Sequence, residues 1–157
     1  MFSLDDVYRK FGETAEAAQL LETQLGTMLL LVRGTEDKLI SEPNPNRATD
    51  VYRQINRQTL GQLLKNLKNT NQSLQELDSL LSNALGERNR LFHSFYRQHN
   101  FRRNSDEGRM LMLRDLESIH DILLHAYKAV MLLDGVDLDG LADTTVEHNL
   151  PTRHVLI

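Results

Sequence analysis

Leu4–Val32, LDDVYRKFGETAEAAQLLETQLGTMLLLV, decides the fold class of this chain. Its apolar positions Leu4, Val7, Phe11, Ala18, Leu21, Leu25, Met28 and Val32 advance by alternating steps of three and four, and Thr14 alone interrupts them. Steps of that size keep one face apolar on a helix of about 3.6 residues per turn, so the stretch reads as one long amphipathic helix. Ser3 suits the N-cap, and Asp5 and Asp6 suit the positive end of the helix dipole. Gly34 is expected to stop the helix. Gly12 and Gly26 each cost about 1 kcal/mol against Ala inside a helix, so a close helix–helix approach is expected there.

Outward from this helix the same period recurs. Residues 35–58 contain Glu42-Pro43-Asn44-Pro45-Asn46 and read as a loop, with extended backbone before each Pro. Helix is expected to resume at a Thr59 cap and to run through Leu60, Leu63, Leu64 and Leu67, with a break or kink at Asn69-Thr70-Asn71. A further helix is expected from about Ser73 to Gln98, with Leu74, Leu77, Leu81, Ala84, Leu91 and Phe95 as its stripe. Arg88 falls in line with that stripe. Residues 100–105 form a basic loop, and Ser105, followed by Asp106 and Glu107, caps the last long helix. That helix carries Leu113, Leu116, Ile119, Leu123, Tyr127, Val130 and Leu133, and Gly135 ends it. Residues 1–135 are expected to form an all-α domain, a helical bundle of four to five helices with long antiparallel helices. Residues 136–157, acidic with an apolar end at Val155-Leu156-Ile157, form a tail or docking arm. No repeat and no alternating pattern long enough for a sheet is present.

The chain of 157 residues carries 18 basic and 22 acidic side chains, for a net charge of −4. Length favours one domain with a real core. The absence of Cys excludes a disulfide scaffold, a thiolate metal site and a cysteine nucleophile, and fits a reducing compartment. The apolar run Met28–Val32 is far too short for a membrane span. Asp5 and Asp6 stand where a secretion signal would carry positive charge, so a soluble, cytoplasmic protein is expected. Charge is unevenly placed: residues 88–114 carry seven Arg against two acids, while both flanking segments are acidic. A basic block of this kind binds phosphate, or else solvates a loop and pairs with the acidic third of the chain.

Several chemistries lack their residues. There is no glycine-rich nucleotide loop and no His-Glu-x-x-His. Asp134–Asp139 resembles a calcium loop but lacks the closing Glu. Glu117-x-x-His120 matches a bundle metal-site spacing once, and no second pair completes it, so no metal and no cofactor is expected.

The informative stretch is Glu87-Arg88-Asn89-Arg90-Leu91-Phe92-His93, an Arg-Asn-x-x-x-His pattern on a helix. Average residue usage produces that pattern by chance about once in a hundred chains of this length, and the looser Arg-x4-His about once in five. Asn89 therefore carries most of the specificity. Asn89 and His93 share a helix face at i and i+4, within reach of a hydrogen bond. Arg88 lies about 140° from His93 around the helix, and its long side chain reaches toward the same cleft. On periodicity alone, the reading that these residues favour is a bundle edge with a snorkelling Arg and a satisfied His.

At these residues the chain resembles the HEPN family, small α-helical bundles with an Arg-x4–6-His motif late in a long helix, often with Asn after the Arg. The resemblance spans most of residues 4–134. It implies metal-independent RNA cleavage by a homodimer whose paired motif helices face one cleft, through attack of a ribose 2′-OH on the adjacent phosphate. His93 would then move a proton, Arg88 would hold the scissile phosphate, and Asn89 would orient His93. Arg90, Arg97, Arg102 and Arg103 would hold flanking RNA. Family members also act as silent protein- or nucleotide-binding modules, and toxin members pair with an antitoxin or a nucleotidyltransferase. Toxins of the latter kind carry Tyr two residues after the His. Here that position is Phe95, and Tyr96 follows, which speaks against such modification.

Overall fold

Ser3 opens the first helix with reciprocal hydrogen bonds. Its hydroxyl accepts from the Asp6 amide (3.1 Å), while the Asp6 carboxylate accepts from the Ser3 amide (2.9 Å) and hydroxyl (2.7 Å). Two N-terminal donors are thus satisfied at once. A computed structural model describes residues 2–36, 38, 41–58, 61–63, 65 and 77–142, and among them there is no strand. The fold is all-α. No helix among the described residues is long and apolar enough to cross a membrane.

Helix α1 spans Leu4–Glu36 and buries Val7, Thr14, Ala17, Ala18, Leu21, Leu25 and Leu29. Thr14 belongs to the core: its hydroxyl donates to the Lys10 carbonyl at 2.7 Å, which removes the cost of burying it. The expected stop at Gly34 does not occur. The helix runs on to Glu36, and Lys38 sits in the left-handed region at φ 57°. Of the two interior glycines, Gly26 has Ile55 packed against it, 3.4 Å from where a Cβ would stand, whereas Gly12 has nothing near it.

The stretch expected as loop contains helix α2, Pro45–Asn56. Asn44 caps it by accepting from the Arg47 amide at 3.1 Å, and Pro45 fits the first helical position, where its missing N–H costs nothing. Val51 and Ile55, one turn apart, are the buried face that seats α2 on α1. Residues 61–63 and 65 are helical, and Leu63 is buried. The expected cap at Thr59, Leu60, Leu64, Leu67, the break at 69–71 and the start near Ser73 lie outside the described residues.

Helix α3 spans Asp78–His93 and buries Leu81, Ala84 and Leu91. It does not continue unbroken to Gln98. Ser94, at φ −141° and ψ −7°, breaks it, and helix α4 follows at Phe95–His99. A 3-10 turn follows at Asn100–Asn104. Helix α5, Asp106–Leu133, starts where Ser105 accepts from the Gly108 amide at 3.1 Å. It ends at Gly135 (φ 83°), with Gly135 N–H donating to Leu132 and Val136 N–H to Met131, which satisfies the last carbonyls. Asp137 then accepts from the amides of Asp139 and Gly140 and opens the short helix α6, Leu138–Ala142. The calcium-like run is thus a helix stop followed by a helix start. The first seven residues of the expected arm pack back through Leu138, and residues 143–157 lie outside the described residues.

α1 and α5 form the main contact. The Phe2 carbonyl meets Arg109 (2.5 Å), Thr14 lies against the Leu116 carbonyl (3.4 Å), and Gln24 donates to Asp134 (2.9 Å). Both chains of residue numbers rise together, so these two longest helices run parallel, contrary to the expected antiparallel arrangement. α3 and α4 run the other way against α1, with Phe11 against Phe95 of α4 and Glu22 against Arg88 of α3. The core between them holds Leu21, Leu25, Leu91, Phe95, Met112, Leu116, Ile119 and Leu123, each fully buried and worth roughly 1.5–3 kcal/mol.

Candidate functional site

α3 presents two faces, and the arginines of the motif divide between them. Arg88 points to the α1 side. Its Nε donates to Glu22 at 2.8 Å, its Nη1 donates to Asn89 Oδ1 at 3.2 Å, and its guanidinium sits 5.0 Å from the Phe92 ring centre. An ion pair, a neighbouring amide and a cation–π contact together hold the head group in place. It keeps 21% of its surface open to solvent. Asn89, Phe92 and His93 are exposed beside it. Asn89 faces Arg88, not His93: its side-chain oxygen is taken by the guanidinium, and His93 makes no hydrogen bond among the described residues. The expected Asn89–His93 bond is absent; the Asn89 amide engages Arg88 instead.

Arg90 points to the α5 side. Both terminal nitrogens reach Asp115, at 2.7 and 2.8 Å, and Nε reaches Glu87 at 2.8 Å. Gln98 adds a fourth contact at 3.3 Å. A fork filled in this way has no geometry left for RNA phosphate, so Arg90, expected among the RNA contacts, is a tie between α3 and α5. The tie raises the pKa of Arg90, chiefly through the Asp115 hydrogen bond, and holds the Asp115 carboxyl below the usual carboxylate range, chiefly through Arg90.

Asp115 also receives His99, whose Nε2 lies 2.7 Å from Oδ2. His99 is buried at 4% exposure, with its ring against Phe95 at 4.5 Å. Nδ1 faces Arg102 Nη1 at 3.2 Å. A guanidinium only donates, so Nδ1 accepts and the ring donates from Nε2 to Asp115. This network pins α4 and the 3-10 turn to α5. Its members His99 and Asp115, and Glu22 on the other face of α3, escape motif reading. The one available signal is spacing: His99 continues the Leu91–Phe95 step of four.

Of the other expected RNA contacts, Arg97 and Arg103 are exposed and make no ion pair among the described residues. Arg102 is exposed but shares its head with His99. The three therefore cluster near the motif on α4 and the following turn. An aromatic surface adjoins them: Tyr8 and Phe11 from α1, Phe92 and Tyr96 from α3 and α4, with Phe11 and Tyr96 5.3 Å apart. Burial and nearby Tyr8 push the Tyr96 hydroxyl pKa up. Phe95, at the position where toxins carry Tyr, is fully buried.

Among the described residues no group of three or more metal-ligating side chains is present. His120 of the Glu-x-x-His pair turns Nδ1 toward the Lys10 ammonium at 3.2 Å, and burial followed by that cation lowers its pKa. No protein-family model matches the chain, and no match is found among curated proteins or solved structures.

Proposed function

We propose that this chain is a HEPN-like endoribonuclease that works as a homodimer without metal, cutting RNA by attack of a ribose 2′-OH on the neighbouring phosphate. One observation carries the reading: on α3 an exposed His93, without a hydrogen bond among the described residues, follows a fixed Arg88 by five positions, beside the only strongly basic segment of the chain. In this scheme the His93 of one copy accepts a proton and the His93 of the second copy delivers one, which is why the reading needs two copies. Arg88, held by Glu22 and Phe92, would meet the phosphate without first losing side-chain freedom. Asn89 acts by fixing Arg88 in this scheme. An antitoxin or nucleotidyltransferase partner belongs to the same reading.

The Arg88–Glu22 pair favours a second reading, in which the arginine is spent as an α1–α3 tie and the helices serve as a silent protein- or nucleotide-binding module. Single-turnover assays on purified protein separate the two. The nuclease cuts RNA in the presence of chelator and leaves cyclic phosphate ends. His93→Ala slows it by about 10² or more, the usual size of an acid–base contribution, with circular dichroism unchanged. Arg88→Ala does likewise and the two effects do not add. Wild type that cuts neither structured nor unstructured RNA sinks the nuclease reading.

A further inference from the structure

The 3-10 turn after α4 carries Phe101, 77% exposed, the most open large apolar side chain of the described residues. Exposure of this degree usually marks a limp loop. This turn is the opposite. Asn100, directly before Phe101, holds φ 41° and ψ −113°, a conformation that glycine adopts freely and Asn tolerates at a cost. Surrounding contacts impose it. Arg102 is tied to buried His99, and the Arg103 carbonyl accepts from Arg109 at 2.9 Å. The Arg102 backbone lies so close to α5 that a Cβ at Gly108 would stand 2.0 Å from its carbonyl oxygen. A strained, over-determined turn thus presents a naked aromatic ring to solvent.

Its surroundings indicate what meets the ring. From Ser94 to Ser105 the chain has Arg97, Arg102 and Arg103 and no acidic residue. A protein partner's apolar patch would have to desolvate these guanidinium groups, whereas a nucleic acid strand supplies a π-face for the ring and phosphates for the arginines. Only unpaired bases offer that face, because bases in a duplex are already stacked.

We propose that Phe101 is a stacking platform for an unpaired base of single-stranded RNA, with Arg97, Arg102 and Arg103 on the flanking phosphates. The inference deepens the ribonuclease reading by naming single strands as its substrate class, and it rests on that reading only for the consequence of binding.

The test uses full-length protein and a 2′-O-methyl oligouridylate, which keeps bases and phosphates but lacks the attacking hydroxyl, so binding is read without cleavage. A 2′-O-methyl hairpin of equal charge is the control. Phe101→Ala is expected to weaken single-strand binding about tenfold, within the range for one stacked base, and to leave the salt dependence unchanged because no phosphate contact is lost. Phe101→Leu should match Phe101→Ala, and Phe101→Trp should bind as wild type. The chain has no other Trp, so fluorescence of Phe101→Trp reports the ring directly and should be quenched by the single strand and not by the hairpin. Unchanged binding in Phe101→Ala, or equal quenching by the hairpin, overturns the proposal. A mass change of Phe101→Ala in light scattering overturns it too, by making the ring a contact between copies. Quenching in a protein that cuts no RNA supports the platform and removes the nuclease reading; cleavage of RNA with no quenching does the reverse.

Discussion

Arg88 and Arg90 stand two residues apart on one helix, carry the same charge and keep similar exposure, yet they do different things. Arg90 meets two carboxylates in a fork, Asp115 and Glu87, with both ends of the planar head filled. Arg88 meets one carboxylate through Nε and leaves Nη2 without a hydrogen bond among the described residues. The lesson is that sequence proximity to a motif does not make an arginine a ligand for phosphate. What decides is how many of its donors the fold has already used.

The largest way to break this contrast is Asp115→Ala. It leaves buried His99 without its acceptor and Arg90 with Glu87 as its one carboxylate, and removing one partner of a partly desolvated network costs more than the network contributes net. Chemical denaturation should show a loss of about 3 kcal/mol. His93→Ala, on the open strip, should change stability by less than about 0.5 kcal/mol. Equal losses would mean that the two faces of α3 are not distinct.

Gly108→Ala comes next, at about 2 kcal/mol, because its Cβ meets the Arg102 backbone rather than a movable side chain. This variant also sharpens the contrast. It should displace the 3-10 turn and weaken RNA binding while leaving the Arg88–Glu22 pair intact, which amide exchange or crystallography of the variant checks.

Much of the helical framework was legible in the sequence. The Ser3 and Ser105 caps, the Gly135 stop and the buried stripes around Leu21, Leu25, Leu116, Ile119 and Leu123 all follow from local chemistry and period. What was not legible had nonlocal causes. Two prolines near Asn44 signal a loop unless one of them starts a helix, and only Val51 and Ile55 meeting α1 decide that. The break at Ser94 has no Gly or Pro to announce it, and on either side of it Arg90 and His99 both reach Asp115, a contact between distant residues. The site divides the same way. Arg88 and His93 could be named from spacing, but the saturation of Arg90 by a carboxylate 25 residues downstream could not.

A smaller effect tests the arginines directly. Arg90→Lys replaces a two-pronged contact by a point charge and should cost about 1.5 kcal/mol. Arg88→Lys keeps a charge near Glu22 and loses the hold of Phe92, for about 0.5 kcal/mol. Denaturant midpoints of the two single variants, measured side by side, give the order. If Arg88→Lys proved the more damaging, the α1–α3 tie would be the structural one and the module reading would gain.

The smallest effect is one of pH, and it separates the α3–α5 network from the α1–α5 seam. His120 faces Lys10 across that seam, with Glu13, Glu16 and Asp121 near enough to oppose the ammonium in part. Burial, then Lys10, lowers its pKa from 6.5, so the folded protein binds this proton less readily than the unfolded chain. Its contribution to stability is therefore complete above pH 6.5 and is lost as pH falls through the lowered value. Asp115 obeys the same sign in a lower window: its contribution is complete above 3.8 and is lost only as pH falls through its own depressed value. Denaturation at about pH 7 and about pH 5 should thus show a decline that His120→Gln, which cannot take up the proton, reduces. The loss caused by Asp115→Ala should remain the same at both. A decline that persisted undiminished in His120→Gln would overturn the assignment of this window to His120.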